Sequence, residues 1–392
     1  MHIALVGAGA MGAHVANELC RREPDLALAV IDTDRARAEA LAAGLKQAST
    51  TVHVCDARDI PSLTQALTGA AVTVNAAQYD ANVDVMRACL AARTHYVDLG
   101  GMFHMTRRQL ELGDAFAEIG RAAVLGMGAA PGLSNLVAAE ACGDFDQVEG
   151  VRIAFAVAAP DMPPSPVFVP PYSIRTIMQE FCEPSVQFLA GELREMPALA
   201  GRRRIRFPEP IGEVDCVHTL HSEPATLPAY LRAKGIREVT WRLGLPRQLE
   251  AIIGALASAG LGATTPVPCG GATIAPVDFL AASIEAQIRR TPRSNEPYTE
   301  HACVQAEAWG VANGVTAEVT VDLLFSASGA PPDLAGFITG TPAAIAAWLL
   351  ASNRTRSAGA FGPESLFAPR QMMALLAERG FRATRRASHA LA

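Results

Sequence analysis

The first third of the chain alternates short apolar, β-branched runs with longer segments of helical period. Parallel strands need long crossover connections, so this alternation is typical of a parallel sheet wrapped by helices. Six runs predict strands, at Ile3–Gly7, Leu26–Asp32, Thr51–Asp56, Ala71–Ala76, His95–Leu99 and Ala122–Gly128. Strands of this kind with helical crossovers predict a doubly wound α/β domain over residues 1–130.

The first strand runs directly into a glycine-rich turn that opens a helix, with the glycines in the spacing GxGxxG. The first glycine allows a tight turn, the second lets the backbone approach a pyrophosphate, and the third lets the helix pack closely on the sheet. The positive end of the helix then faces the phosphates. The turn predicts a Rossmann dinucleotide site with the cofactor-binding residues Gly7, Gly9, Ala10, Met11 and Gly12.

Asp32 ends the second predicted strand, about twenty residues beyond the glycines. A carboxylate at this point accepts hydrogen bonds from the adenosine ribose hydroxyls and repels the extra phosphate of NADP. Arg35 and Arg37 follow closely enough to accommodate that phosphate. We therefore expect NAD as the cofactor, with NADP as the alternative.

The ends of the next two strands extend the predicted cofactor site. Asp56 follows the third strand and is placed on the adenine side. Asn75, Ala76 and Ala77 follow the fourth strand and are placed on the nicotinamide side.

Residues after the later strands are predicted to face the substrate, because ligands lie outside the carboxyl ends of parallel strands. Tyr79 follows the fourth strand, and Asn135 follows the sixth. Asp98 ends the fifth strand and is a candidate catalytic carboxylate, with a structural cap of the Leu99–Gly101 turn as the equal alternative. His95 starts that strand; it is a candidate substrate contact, although a core or surface histidine is the commoner case.

After Gly128 the alternation ends, and a proline-rich stretch and later strand patterns predict a second, α+β domain over residues 131–335. Two strand patterns joined by Val311–Gly314, which contains Asn-Gly, predict an antiparallel hairpin. Helical segments within 336–392 are predicted to return to the Rossmann domain and complete it.

The charge balance argues against large anionic partners. The net charge is −6, so neither nucleic acid nor a membrane surface is an expected partner. Arg202–Arg206 and Arg382–Arg386 are predicted to be a solvated loop and a frayed tail. The chain shows no targeting segment or membrane-spanning apolar run, which predicts a cytoplasmic protein. A homodimer is the default assembly.

His218, His221 and Glu223 lie close enough in sequence to suggest a metal site. In an extended segment, however, His221 and Glu223 face one side and His218 the other, and no further ligand is evident. We therefore predict no metal. The eight cysteines are scattered singly, without a CxxC pair, and are predicted to be reduced thiols.

Four stretches carry a resemblance to a known family: Val72–Gly101, Gly126–Ala138, His221–Pro228, and Thr339–Ala351 together with Gly359–Glu364. In these stretches the chain resembles the saccharopine dehydrogenase family, and within it the lysine 6-dehydrogenase-like members. The resemblance implies a Rossmann domain, an α/β catalytic domain and nicotinamide-dependent oxidation of an amine on an amino acid. The segment VTWRLG departs from the Tyr-Pro-Gly-His character of lysine 6-dehydrogenases, which leaves the substrate open.

The resemblance also implies that Glu223 is a catalytic residue and Thr226 a substrate contact, both within HSEPATLP. Arg242 is a candidate partner for a substrate carboxylate, with an exposed strand arginine as the commoner alternative. The leading function is an amino-acid dehydrogenase that passes hydride to NAD and leaves an imine. An imine-reducing condensing enzyme and a non-catalytic NAD-binding sensor or scaffold are the alternatives.

Overall fold

The computed structural model describes residues 1–46, 48–165, 168–291, 296–352, 354 and 357–389. The strands are β1 His2–Val6, β2 Ala27–Asp32, β3 Ser49–Val54, β4 Val72–Asn75, β5 His95–Asp98, β6 Ala122–Val124, β7 Gln147–Ala158, β8 Ser185–Leu189, β9 Glu192–Met196, β10 Arg203–Arg206, β11 Glu213–Cys216, β12 Glu238–Gly244, β13 Val267–Cys269, β14 Ala272–Ile274, β15 Tyr298–Ala312, β16 Val315–Gly329, β17 Gly359–Phe361 and β18 Arg382–His389.

Helices connect the strands, and two short 3-10 helices cover Tyr79–Ala81 and Arg232–Lys234. The α-helices are α1 Ala10–Arg22, α2 Arg35–Gly44, α3 Ile60–Ala66, α4 Asn82–Ala92, α5 Phe103–Leu110, α6 Gly113–Glu118, α7 Leu133–Ala141, α8 Ile174–Cys182, α9 Glu223–Tyr230, α10 Arg247–Ser258, α11 Pro276–Arg290, α12 Leu334–Ala351, α13 Pro363–Leu366 and α14 Pro369–Ala377.

The first sheet is parallel throughout and has the order β17-β6-β5-β4-β1-β2-β3. Its central strands are buried on both faces, which explains why they appear in the sequence as continuous apolar runs. The prediction of a doubly wound parallel sheet is confirmed. Strand β17 is an addition that the sequence did not reveal, because a run as short as Gly359–Phe361 carries no periodicity.

The second sheet is mixed, with the order β18-β16-β15-β7-β12-β8-β9. Only β7 and β12 pair in parallel among the described strands of this sheet. The hairpin expected around Asn-Gly is confirmed: β15 and β16 are joined by Asn313 and Gly314, both with positive φ. This conformation is typical of a type I′ turn, whose twist matches that of the flanking strands.

The two basic clusters do not have the structures expected of them. Residues 203–206 form β10, which pairs with β11, and residues 382–389 form β18, which pairs along β16. Neither the loop nor the frayed tail is present, because β10 pairs with the neighbouring strand β11 and β18 pairs with β16, far away in the sequence. The segment 336–392 is thus divided: β17 joins the first sheet and β18 the second.

Helix α12 is long and apolar enough to cross a membrane, with a mean hydropathy of 1.6 over 18 residues. The expectation that no such run exists is therefore wrong by length and composition. Within the fold 72% of the helix is buried, and it packs against α1, β4 and β5. A helix that is apolar all round is also typical of a buried core helix.

Side chains on β12 alternate between the two faces of the second sheet. Trp241 points to the face covered by α9, where it contacts His221. Arg242 points to the opposite face, beside the β10–β11 hairpin. Helix α7, which follows β6 of the first sheet, packs on β7, β15 and β16 and brings the carboxyl edge of the first sheet to the α9 side.

Candidate functional site

The glycine-rich turn has the geometry of a dinucleotide cradle. Gly7 has a φ of +95°, and a Cβ there would lie 2.8 Å from the backbone of Ala76. A Cβ on Gly12 would overlap the carbonyl oxygen of Gly7, whereas one on Gly9 would face open space. In the described part of the chain, the N-cap residue Gly9 offers no side-chain hydrogen bond to the first turn of α1. Its amide N–H groups, at Ala10 and Met11, therefore remain for a pyrophosphate.

Asp32 lies at the carboxyl end of β2, beside this turn. Its carboxylate accepts hydrogen bonds from the N–H of Ala8, at 2.7 Å, and of Asp34, at 2.8 Å. Arg37 lies 3.7 Å from the carboxylate and is itself exposed. The carboxylate is thus fixed at the ribose position, with one cation close enough to contact a neighbouring phosphate.

The predicted residues after β3 and β4 also lie at the carboxyl edge. Asp56 is exposed there and caps the turn to Arg58. Asn75 is buried; its oxygen accepts from the N–H of Ala77 at 3.1 Å, and its amide donates to Asn82 at 2.9 Å. Asn75 therefore shapes the Ala76–Ala77 turn rather than presenting its own amide to a ligand.

Asp98 is fully surrounded by protein donors. Its Oδ1 accepts from the N–H of Gly100 at 2.9 Å and of Gly126 at 2.6 Å. Its Oδ2 accepts from Tyr96 at 2.9 Å, Gln109 at 2.6 Å and Asn82 at 3.2 Å. Burial raises the pKa of Asp98, while these hydrogen bonds oppose the shift. The geometry favours the structural alternative for Asp98, because its oxygens already have partners.

His95 lies at the amino end of β5, the edge opposite the cofactor turn. Its Nδ1 accepts a hydrogen bond from the N–H of Ala122 at 2.9 Å. Burial, together with the nearby charge of Arg121, lowers the pKa of His95 to about 4. This placement does not support the predicted substrate contact, because the length of the strand separates His95 from the carboxyl edge.

A second buried polar cluster forms where α7, which follows the last central strand of the first sheet, meets α9. Glu223, the first residue of α9, has no exposed surface. One of its oxygens accepts from the hydroxyl of Ser134 at 2.6 Å, and the other bonds Nδ1 of His221 at 2.7 Å. Glu223 therefore links the hydroxyl of Ser134 on α7 to the imidazole of His221.

His221 is the ionisable group at the centre of this cluster. Burial alone lowers the pKa of His221, but the charge and hydrogen bond of Glu223 outweigh burial and hold that pKa above its ordinary value. Its Nδ1 is engaged by Glu223, while its Nε2 lies 3.9 Å from Glu180, beyond hydrogen-bond distance. Nε2 makes no hydrogen bond to any described residue.

Glu180 is a site residue that the sequence did not reveal. It lies on α8, is buried, and accepts a hydrogen bond from the hydroxyl of Tyr172. Burial raises the pKa of Glu180 to about 7, although His221 and Tyr172 oppose the shift. The only sequence signal is one acid among the apolar positions of an amphipathic helix, and that signal is weak.

Asn135 and Thr226 form the other half of the cluster. The Asn135 amide donates to Thr226 at 3.1 Å and to Glu364, on α13, at 3.0 Å. One oxygen of Glu364 is buried without a hydrogen-bond partner in the described part of the chain, and burial raises the pKa of this residue. Glu364 is another site residue that the sequence did not reveal, although it ends the stretch Gly359–Glu364 that carries the family resemblance.

Tyr79 lies at the same domain junction, where its hydroxyl donates to Gln179 of α8. The structure thus brings Tyr79, Asn135, Glu223 and Thr226 to one junction. Arg242 is not among them, since it lies on the opposite face of β12 from Trp241. Two-residue alternation along a strand makes this separation unavoidable.

No group of His, Cys, Asp and Glu side chains in the described residues is arranged to hold a metal ion. His218 bonds the backbone carbonyl of Trp241 at 2.7 Å and has a pKa lowered to about 4 by burial. It faces away from His221, as the spacing in the sequence suggests.

The parallel sheet, the glycine cradle and Asp32 define a nicotinamide dinucleotide-binding protein of the Rossmann class. A family model described as the saccharopine dehydrogenase NADP binding domain matches residues 3–124, and one described as the saccharopine dehydrogenase C-terminal domain matches residues 128–381. The chain belongs to the saccharopine dehydrogenase family.

Solved structures share the whole fold. The L-Glu-forming saccharopine dehydrogenase of Saccharomyces cerevisiae matches over 99% of both chains, with a TM-score of 0.75 and 16% identity. The homospermidine synthase of Legionella pneumophila, solved with NAD, matches over 99% of this chain and 91% of that chain, with a TM-score of 0.65 and 12% identity. At these identities the likeness shows a common architecture.

Proposed function

We propose that this protein is an NAD(P)-dependent oxidoreductase that removes hydride from a carbon bearing nitrogen, in an amino acid or a related amine. The observation that carries the proposal is the free Nε2 of His221, held at the domain junction by the bond between Nδ1 and Glu223. An imidazole anchored through one nitrogen by a carboxylate is oriented to accept a proton on the other.

The charges of the junction suit an amine. Glu223 and Glu180 lie on either side of His221, and each is buried. A carboxylate removed from water attracts a cation strongly, and a cation beside Glu180 in turn favours the charged form of that carboxyl group, so an ammonium group is favoured over a carboxylate or phosphate at this point. Trp241 stacks on the imidazole and Tyr172 bonds Glu180, and His221 itself is buried.

The coenzyme and the protein have separate roles in the proposed reaction, hydride transfer and proton transfer respectively. The nicotinamide coenzyme, when bound in the glycine cradle, supplies the hydride acceptor. The ammonium nitrogen first gives a proton to Nε2 of His221, and Glu223 stabilises the imidazolium that results. When the carbon then loses hydride, the nitrogen lone pair forms the C=N bond of a protonated imine, which water hydrolyses to a carbonyl compound and ammonium.

The same groups also serve the reverse reaction, in which an imine formed from an amine and a carbonyl compound is reduced. His221 then returns the proton to nitrogen. NAD is the proposed coenzyme, because the carboxylate of Asp32 occupies the ribose position and opposes a 2′-phosphate.

The test offers the protein a panel of amines and measures formation of reduced coenzyme by its absorbance at 340 nm. Lysine, ornithine and diamines are offered with NAD or NADP, with and without added 2-oxo acids or aldehydes. Turnover of one amine without a second carbon substrate supports oxidation, and dependence on a carbonyl compound supports condensation. The absence of turnover with every combination would leave a coenzyme-binding sensor as the better account.

Substitution of the base completes the test. His221→Asn is expected to lower kcat by about 10²–10⁴-fold, because it removes the proton acceptor. His104→Asn changes an exposed histidine of α5 and serves as the matched control. Equal rates in wild type and His221→Asn would contradict the assignment.

A further inference from the structure

A polar cavity lies on the outer face of the second sheet, beside the β10–β11 hairpin. Its volume is ≈ 220 Å³. The arginines that line it are Arg152, Arg203, Arg204, Arg206, Arg242 and Arg386. The two basic clusters of the sequence, at 202–206 and 382–386, therefore converge on one surface.

The register of the sheet explains why these side chains meet. Arg386 on β18 lies opposite Thr320, Thr320 opposite Glu307, and Glu307 opposite Arg152. Directly opposed residues in neighbouring strands share a face. Arg242 lies opposite Ala154, two positions along β7 from Arg152, and so shares that face as well.

Carboxylates form ion pairs with some of the arginines that line the cavity. Glu307 contacts both Arg203, at 3.2 Å, and Arg152, at 3.6 Å. Other acids take one cation each: Glu238 binds Arg152, Asp215 binds Arg204 and Asp322 binds Arg386. Glu318 is hydrogen-bonded to Glu307.

Arg206 and Arg242 lack a carboxylate partner within the described residues. The guanidinium of Arg242 donates only to neutral oxygens, the carbonyl of Gly201 at 2.9 Å and the hydroxyl of Thr240 at 3.0 Å. It is half-buried, and burial lowers its pKa, with further lowering by the charges of Arg203 and Arg152 that the charge of Glu238 only partly opposes. A half-buried cation held beside like charges is unfavourable unless an anion compensates it.

We propose that this cavity binds a compact multivalent anion, a phosphoryl or polycarboxylate compound, through the guanidinium groups of Arg206 and Arg242. The cavity is several times the ≈ 30 Å³ share of one water molecule and smaller than the ≈ 300 Å³ at which drug-sized sites begin, which fits a small ion. Guanidinium groups bind such oxygens bidentately. The site is separate from the amine site, because Trp241 and Arg242 face opposite sides of β12.

The experiment is isothermal titration of the full-length protein at saturating NAD, so that the glycine cradle is filled and takes up no phosphate. Pyrophosphate, inorganic phosphate and citrate are the probes, with chloride as the monovalent comparison. Saturable binding of one anion per chain is expected with pyrophosphate or citrate. Preference for pyrophosphate indicates a phosphoryl ligand, and preference for citrate a polycarboxylate.

Arg242→Met and Arg206→Met are each expected to weaken binding at least about tenfold, the loss expected for one charge-assisted hydrogen bond. Arg206 is exposed, so its variant keeps the test valid if Arg242→Met does not fold. Arg232→Met, an exposed arginine outside the cavity, is the matched control. The proposal would be overturned if the wild-type protein binds no anion saturably, or if Arg232→Met weakens binding as much as the two cavity variants do. It would also be overturned if the cavity variants change the oligomeric mass of the protein without losing anion binding.

Discussion

The imidazole of His221 lies flat against the indole of Trp241, with 4.1 Å between the ring centroids and 18° between the ring planes. The indole N–H donates to Thr219 at 3.0 Å, and the backbone N–H of Trp241 donates to Gln187 at 2.8 Å. Trp241 is thus fixed by its own hydrogen bonds. It provides a rigid surface that, with Glu223, sets the orientation of the imidazole.

Glu223→Gln is expected to move the acidic limb of the kcat/KM profile to lower pH and to reduce kcat. His221 accepts a proton only when neutral, so the rate rises with pH through its pKa. Glu223 holds that pKa above its ordinary value against the effect of burial, and glutamine removes the charge. The measurement is a pH series at saturating coenzyme, with Glu250→Gln, whose partner Arg202 is on the surface, as the control.

Glu180 is a second group that titrates in the neutral range, since burial raises its pKa to about 7. Glu180→Gln therefore has to be measured in the same series. We expect a smaller displacement of the limb in that variant, because Glu180 lies 3.9 Å from the imidazole. Loss of the limb in Glu180→Gln, with no displacement in Glu223→Gln, would assign the proton acceptor to Glu180.

Asp98→Ala is expected to destabilise the protein by about 3 kcal/mol or more, because it leaves several buried donors without an acceptor. Asp59→Ala removes an exposed cap of α3 and is expected to lower the stability much less. Urea unfolding followed by circular dichroism compares the two variants. Similar midpoints would mean that the network around Asp98 contributes little, and that a catalytic role has to be considered again.

Asp32→Ser is expected to lower the preference for NAD over NADP by at least about tenfold. The substitution removes the charge that repels a 2′-phosphate and keeps an oxygen for the N–H of Ala8. Arg37, 3.7 Å from the carboxylate, is then free to contact the phosphate. Coenzyme affinities measured by titration give the ratio. In Asp32→Ser combined with Arg37→Met the gain for NADP should disappear; an unchanged ratio in the single variant would contradict the assignment of Asp32.

The first domain could be predicted because its signals are local. Buried parallel strands are continuous apolar runs, and the glycine spacing needs only neighbouring residues. Strands β10 and β18 could not be predicted, because their residues are polar and exposed and become strands only by pairing with β11 and β16. In the second domain the hairpin at Asn313-Gly314 could be predicted, since its turn residues encode the connection.

The residues of the candidate site also fall into those with a local sequence signal and those without one. Residues at strand ends of the first domain were found from their position in the chain, whereas Glu180 comes close to His221, and Tyr172 to Glu180, only through tertiary packing. Asp98 shows the converse. Its position at a strand end suggested catalysis, but only the coordinates reveal the donors that surround it.

The most direct test of the central claim uses the amine found in the panel, deuterated at the carbon that bears nitrogen. If hydride leaves that carbon, the reduced coenzyme carries the deuterium, detected by mass spectrometry, and kcat/KM shows a normal primary isotope effect. Reduced coenzyme without deuterium would contradict the account, since the hydride would then come from another position.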